Sequence, residues 1–287
     1  MLIAQITDIH VGFEPGNPDE YNQKRLGKVL ERVLEGPNKP DLMIVTGDLT
    51  ERGDVESYRR CKELLSACPF PWYPIVGNHD DRTNFSRAFP DVPTPGGFAQ
   101  YTVELDGLRL IMLDTLEEGR HGGAFCDVRA AWLKERLAEK PDVPTVIVMH
   151  HPPIDVGIDW MRTDKAEPWV ARFADAIAGH GQIRAILTGH LHRPIVSQWK
   201  GTTVAICPAT APGVALDLRP MDPEAPDLRP MVVADMPGFG MHWWDRGELV
   251  TLFDFAEEPV PLAKFDGRMQ GLVRHLMDER PGGAGHH

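Results

Sequence analysis

Leu2-Ile3-Ala4-Gln5-Ile6-Thr7-Asp8-Ile9-His10 is the stretch from which the fold can be read. Leu2–Thr7 is a short apolar run of the kind that forms a buried strand. Asp8 and His10, two side chains able to hold a metal, follow it directly. They stand two residues apart, so at an extended strand end they share a side and can chelate one ion. The pattern recurs four times. Asp41–Thr46 leads into Gly47-Asp48, and Trp72–Val76 leads into Gly77-Asn78-His79-Asp80. Thr145–Met149 leads into His150-His151, and Ile183–Leu187 leads into Gly189-His190-Leu191-His192. In open α/β sheets, the carboxyl ends of strands bring sequence-distant loops together, and sites form there.

The residue types fit one chemistry. Asp and His are ligands for Zn²⁺, Mn²⁺ and iron ions. A lone carboxylate such as Asp48 can bridge two ions about 3.5–4 Å apart, the separation typical of two-metal hydrolases. Glycines before Asp48, Asn78 and His190 let the backbone turn sharply into such a site. A single D-x-H or H-x-H occurs by chance; five segments in this order, each at a strand end, form a specific signal.

Between these strands the periodicity changes. Leu26, Val29, Leu30, Val33 and Leu34 place Tyr21–Glu35 in an amphipathic helix ended by Gly36-Pro37. Asp54 is a candidate N-cap for a helix through about Ala67. Asp106-Gly107 joins two strand-like runs, Ala99–Leu105 and Leu108–Leu113, as a hairpin. Helices are expected over Val128–Glu139 and Pro168–Ala178. Further strands are expected at Ile195–Trp199, Thr202–Ile206, Gly240–Trp244 and Leu249–Phe253. Asp217–Pro237 is proline-rich and reads as an irregular excursion. The alternation implies an α/β fold of two packed mixed sheets flanked by helices. One domain is expected over residues 1–280, with an excursion at about 212–244 serving as a lid or oligomerisation element. The Gly/His tail at 281–287 is expected to be disordered.

Composition narrows the function classes. The 287 residues carry a net charge of −12, which disfavours a nucleic-acid polymer as partner. No run approaches the roughly 18–20 apolar residues of a membrane span. The N-terminus has no basic region of a signal peptide, and Cys61, Cys68, Cys126 and Cys207 show no metal or disulfide spacing. These features lead us to expect a cytoplasmic protein.

The series D-x-H, GD, GNHD, MHHPP and GHLH, spanning Asp8–His192, resembles the calcineurin-like metallophosphoesterases. Within them it is similar to class III cyclic-nucleotide phosphodiesterases and bacterial glycerophosphodiesterases. The resemblance implies a four-layer α/β/β/α sandwich and two divalent ions drawn from Mn, Fe, Zn or Co. It implies that Asp8, His10, Asp48 and His192 hold one ion, and that Asp48, Asn78, His150 and His190 hold the other. His79 would face the substrate beside Asn78, as the catalytic side chain that does not ligate. His151 would be structural. The implied activity is hydrolysis of a small phosphodiester, a 3′,5′-cyclic nucleotide or a glycerophosphodiester, by metal-activated hydroxide. The alternatives are a phosphomonoesterase and a non-catalytic scaffold of the same fold. Relatives that assemble through C-terminal elements imply a homo-oligomer.

Overall fold

The computed structural model describes residues 1–17 and 19–280. β1 (Leu2–Ile6), β2 (Leu42–Thr46) and β3 (Trp72–Ile75) run parallel, linked by α1 (Tyr21–Glu35) and α2 (Val55–Leu65). α3 (Arg82–Ala88) follows, then the antiparallel hairpin of β4 (Tyr101–Leu105) and β5 (Leu108–Met112). Next come α4 (Asp127–Glu139), β6 (Thr145–Val148), α5 (Pro168–Ile177), β7 (Ile183–Thr188), β8 (Ile195–Trp199) and β9 (Thr202–Ile206). The two-residue strands β10 (Gly213–Val214) and β11 (Val232–Val233) make a small ribbon, and β12 (Gly238–Asp245) and β13 (Glu248–Phe255) a long hairpin. α6 (Gln270–Asp278) is the last helix among the described residues.

The large strands form a five-stranded sheet, β13-β12-β1-β2-β3, and a six-stranded sheet, β4-β5-β6-β7-β9-β8. Ile3, Ile44 and Ile75 of the first meet Leu110, Val148 and Leu187 of the second in a core between the sheets. α1, α2 and α3 cover the outer face of the first sheet through Leu26, Val29, Tyr58, Leu65 and Phe85. α4 and α5 cover the second through Leu133 and Phe173. All five residues of β2 are buried, as a strand between two packed faces requires. This is the expected four-layer α/β/β/α sandwich.

Local signals explain most boundaries. The Asp54 carboxylate accepts the Ser57 N–H and caps α2, and Gly107 at φ 71° makes the β4–β5 turn that a β-branched residue could not. α3 is too short for its periodicity to show, but Asp81 caps it by accepting the Asn84 N–H at 2.7 Å. The strand expected at Gly240–Trp244 is β12, Gly238–Asp245, paired with β1 on one side and β13 on the other, so the last part of the 212–244 excursion belongs to the first sheet. Its alternation explains this: Phe239 and Met241 face the α1–α3 layer and Trp244 the inter-sheet core. The sandwich belongs to a unit spanning Met1–Ala256, and a second unit begins at Glu257, within the span expected of one domain. The tail at 281–287 lies outside the described residues. Among the described residues no helix is long and apolar enough to cross a membrane.

A buried polar chain links the sheets beneath the strand ends. Gln5 Nε2 donates to Thr46 Oγ1 at 2.9 Å and to the Thr188 carbonyl at 3.1 Å, which leaves Gln5 Oε1 to accept from His242 Nε2–H at 3.0 Å. The Thr251 hydroxyl, 2.9 Å away, donates to His242 Nδ1. Both ring nitrogens are thereby satisfied in the neutral form, and burial holds this imidazole down to about 3 from the usual 6.5. The unfolded chain therefore binds a proton here that the folded chain does not. The group's contribution is intact above about pH 6.5 and is lost as pH falls towards 3. His242→Gln is expected to reduce the pH slope of unfolding free energy between pH 6 and 4 by ~1.4 kcal/mol per unit. Urea unfolding at fixed pH values measures this, and an unchanged slope would contradict it.

Candidate functional site

The loops that follow β1, β2, β3, β6 and β7 meet at one edge of the sandwich. β1 and β2 stay paired through the turn: Asp8 N–H donates to the Gly47 carbonyl, and the Ile9 and His10 N–H groups donate to the Asp48 carbonyl. Eight described non-glycine residues have positive φ, and five of them are candidate ligands: Asp8 (50°), His10 (51°), Asp48 (48°), His190 (73°) and His192 (51°). Asp and His tolerate this region better than most residues, yet each such conformation costs roughly 1–3 kcal/mol and clusters at functional sites. Gly47 (φ 92°) supplies the sharp turn expected of it. Gly77 and Gly189 serve a different need, close approach. A Cβ on Gly77 would lie 2.2 Å from Asp48 Oδ1, and one on Gly189 would lie 1.9 Å from Thr7 Oγ1.

Three of the candidate histidines are oriented alike. His10 Nδ1–H donates to Glu51 Oε2 at 2.8 Å, His150 Nδ1–H to the Thr46 carbonyl at 2.8 Å, and His192 Nδ1–H to the Pro212 carbonyl at 2.7 Å. With Nδ1 committed, each ring points Nε2 inward, and in the neutral form that atom is a bare lone pair. His10 Nε2 and His192 Nε2 face each other at 3.2 Å. His150 Nε2 lies 3.1 Å from Asn78 Oδ1 and 3.3 Å from Asp48 Oδ2, and Asp48 Oδ2 is also 3.6 Å from His10 Nε2. Asp8 Oδ1 is 3.5 Å from His192 Nε2 and 3.9 Å from His150 Nε2. Lone pairs and carboxylate oxygens converging at these distances repel one another unless a cation or proton lies among them.

The ionisation balance has the same sense. Burial opposes the Asp48 charge, yet the His150 and His10 imidazoles hold this carboxyl well below its usual range. Asp8 is likewise lowered against burial, chiefly by His192. His150 is pushed down by burial but raised to about 9 overall by Asp48 and Asp8. His190 goes the other way: burial, with His151 and His150 close by, depresses it.

Asp8, His10, Asp48, Asn78, His150, His190 and His192 are thus brought together. His190 joins through its N–H, which donates to both Asp8 oxygens, and through its ring, centred 5.2 Å from that of His150. His79 stands beside them, its N–H donating to Asp48 Oδ1 at 2.8 Å and its Nδ1–H to the Glu51 carbonyl at 2.9 Å. His151 approaches His150 and His190, but both its ring nitrogens are engaged. Nδ1 accepts from the Thr115 hydroxyl and Nε2–H donates to the His121 carbonyl. Asp80 turns away from the cluster and braces the loops, accepting N–H groups of Leu49, Thr50 and Gly77 and the Tyr58 hydroxyl.

Two functional neighbours are not distinguished by sequence reasoning. Glu51, whose place after Asp48 suits a loop-orienting residue and a solvent-facing ion pair equally, orients His10. His121, in a stretch whose default reading is a flexible surface loop, lies with its ring centre 4.7 Å from that of His190. No spacing marks either, because their partners are 41 and 69 residues away in the chain. An open cavity of about 320 Å³ covers the cluster, lined by His79, His121 and the apolar side chains of Phe13, Trp160, Met161 and Val232. Neither Lys nor Arg is among the described residues lining it.

The donor set fits divalent ions of the transition series: buried carboxylates, an amide oxygen and imidazoles fixed in the Nε2-ligating form. A family model for calcineurin-like phosphoesterases matches residues 1–194. The chain belongs to the calcineurin-like phosphoesterase family. Among proteins of this kind it is 30% identical, over 257 residues, to a probable glycerophosphodiester phosphodiesterase of Arcobacter nitrofigilis, covering 88% of this chain and 91% of that one. It is 35% identical over 232 residues to a probable cyclic nucleotide phosphodiesterase of Rhodopseudomonas palustris, covering 76% and 81%. A dimetal phosphatase from Danio rerio superposes with a TM-score of 0.61 at 13% identity, covering 90% of this chain and 97% of the other. That likeness bears on the fold alone, and the calcineurin-like phosphoesterase sandwich agrees with it.

Proposed function

We propose that this chain is a dinuclear metal-dependent phosphodiesterase acting on a small phosphodiester, a 3′,5′-cyclic nucleotide or a glycerophosphodiester. One observation carries the reading. Asp48 Oδ2 lies within 3.6 Å of His10 Nε2 and 3.3 Å of His150 Nε2, and each of those rings has its other nitrogen committed to the protein. In this reading Asp8, His10, Asp48 and His192 hold one divalent ion, and Asp48, Asn78, His150 and His190 hold the other. Two such ions, when bound, supply Lewis-acid polarisation of phosphoryl oxygens and acidify water towards a pKa of ~7. The protein's own contribution is alignment. Glu51, Thr46 and Pro212 lock three imidazoles, and His79 and Asn78 contact the phosphoryl group.

The lining favours a diester. A monoanionic diester needs no cation beyond the centre itself, whereas a dianionic monoester would gain from a Lys or Arg. The cavity also suits one small molecule with an apolar face. The activities for which the relatives are named, on glycerophosphodiesters and cyclic nucleotides, support the same class. Turnover of an activated aryl diester should exceed that of the matching monoester in Mn²⁺-restored protein, and Asn78→Ala should abolish the excess. A clear monoester preference would move the protein to the phosphatases.

Two further elements belong to the proposal. Trp243 and Val250 pair across β12–β13 and, with Leu252, leave an exposed apolar strip at the sheet edge, which supports a homo-oligomer. A monomer mass by light scattering would contradict that. All four cysteines are free thiols, which supports a reducing, cytoplasmic compartment; recovery from a periplasmic fraction would contradict it.

A further inference from the structure

Arg25 lies on α1 beside Leu26, Val29 and Val33, and it is as buried as its apolar neighbours, at 5% exposure. A guanidinium withdrawn from water needs acceptors for its N–H groups. Nε donates to the Thr210 carbonyl at 2.7 Å and Nη2 to the Ala211 carbonyl at 3.0 Å. Nη1 donates to the Asp235 carbonyl, and Nη2 also reaches Asp235 Oδ1 at 3.2 Å.

The 210–212 loop is gripped from both sides. Its carbonyls face Arg25, while the Thr210 N–H donates to the Thr7 carbonyl and the Ala211 N–H to the Asp8 carbonyl. The next carbonyl in line is that of Pro212, which accepts His192 Nδ1–H. One residue on, the Gly213 N–H donates to Asp235 Oδ1 at 2.9 Å, at the start of the ribbon whose Val214 and Val232 line the cavity.

We infer that Arg25, with Asp235, is a positioning residue for one half of the metal pair: it fixes the loop whose Pro212 carbonyl orients His192, and it ties that loop to the cavity wall. This rests on the metal reading above. The other half is held independently, since His150 takes its orientation from the Thr46 carbonyl on a different loop. Loss of Arg25 frees His192 to rotate while leaving His150 in place. The effect is therefore selective between the two ions.

The test uses the full chain stripped by chelation, as wild type, Arg25→Met, Arg25→Lys and Asp235→Asn, each titrated with Mn²⁺ by calorimetry and assayed on an aryl diester. Wild type should bind in two steps. Arg25→Met should weaken one step by ~10–100-fold, the range for an orienting partner of a ligand, and leave the other within about twofold. Arg25→Lys should recover part of the loss, and Asp235→Asn should show a smaller change in the same step with a raised KM. Equal weakening of both steps, or none, would overturn the positioning role. Should Arg25→Met fail to fold, the other two variants decide by the same criterion: an unchanged wild-type pattern in both overturns the inference. A wild type that binds no Mn²⁺ would instead sink the metal reading and this inference with it.

Discussion

Asp48→Asn is expected to lower kcat on an activated phosphodiester by ~10³-fold or more and to reduce tightly bound metal from two ions per chain to one or none. Losing ~10³ corresponds to ~4 kcal/mol of transition-state stabilisation, within what a bridging ligand controls. The substitution keeps the shape of the side chain, and its remaining oxygen can still accept the His79 N–H now held at 2.8 Å. What it removes is the charge shared between His10 and His150. Folding should survive, since the amide keeps the side chain's shape, but the His150 and His10 imidazoles that hold the Asp48 carboxyl well below its usual range lose their counter-charge. Stripped Asp48→Asn protein should therefore melt below stripped wild type at neutral pH. Added Mn²⁺ should raise the Tm of wild type and do little for the variant. A loss of tenfold or less, with two ions retained, would mean that Asp48 does not bridge.

His79→Ala should give the opposite pattern: two ions retained, and kcat lowered by ~10²–10⁴, the range for a side chain acting directly on the reacting group. His79 touches the cluster through its backbone N–H, which the substitution preserves, and its ring packs edge-on against His10 with centres 4.6 Å apart. The ring is anchored by Nδ1–H on the Glu51 carbonyl, so the other nitrogen is the one able to meet a substrate oxygen. Metal analysis beside steady-state kinetics separates the outcomes. Loss of metal in parallel with activity would make His79 a packing residue.

Much of this was legible in the sequence because it is local. The apolar stripe from Leu26 to Leu34 places α1, Asp54 and its capping geometry place α2, and Asp106-Gly107 places the β4–β5 hairpin. The ligand candidates were legible because each follows a strand directly, so the parallel register of β1, β2 and β3 and of β6 and β7 carries them to one edge. What escaped depends on contacts between distant residues. Nothing in Gly47-Asp48 announces that Asp48 adopts a positive φ, nor does Gly189 announce that Thr7 lies where its side chain would go. The partners that give Arg25 its place, in the 210–235 segment, lie 185 to 210 residues away, so it reads as an ordinary polar residue of an amphipathic helix. β12 inserts between β1 and β13, an arrangement that pairs the start of the unit with its end.

The central claim is that activity belongs to a pair of ions sharing Asp48. The most direct measurement titrates the chelator-stripped protein with Mn²⁺ while following bound metal and diester hydrolysis in the same samples. The account predicts that turnover is negligible without metal, low at one ion per chain, and rises with occupancy of the second. Full turnover in excess chelator, or a plateau at a single ion per chain, would contradict it.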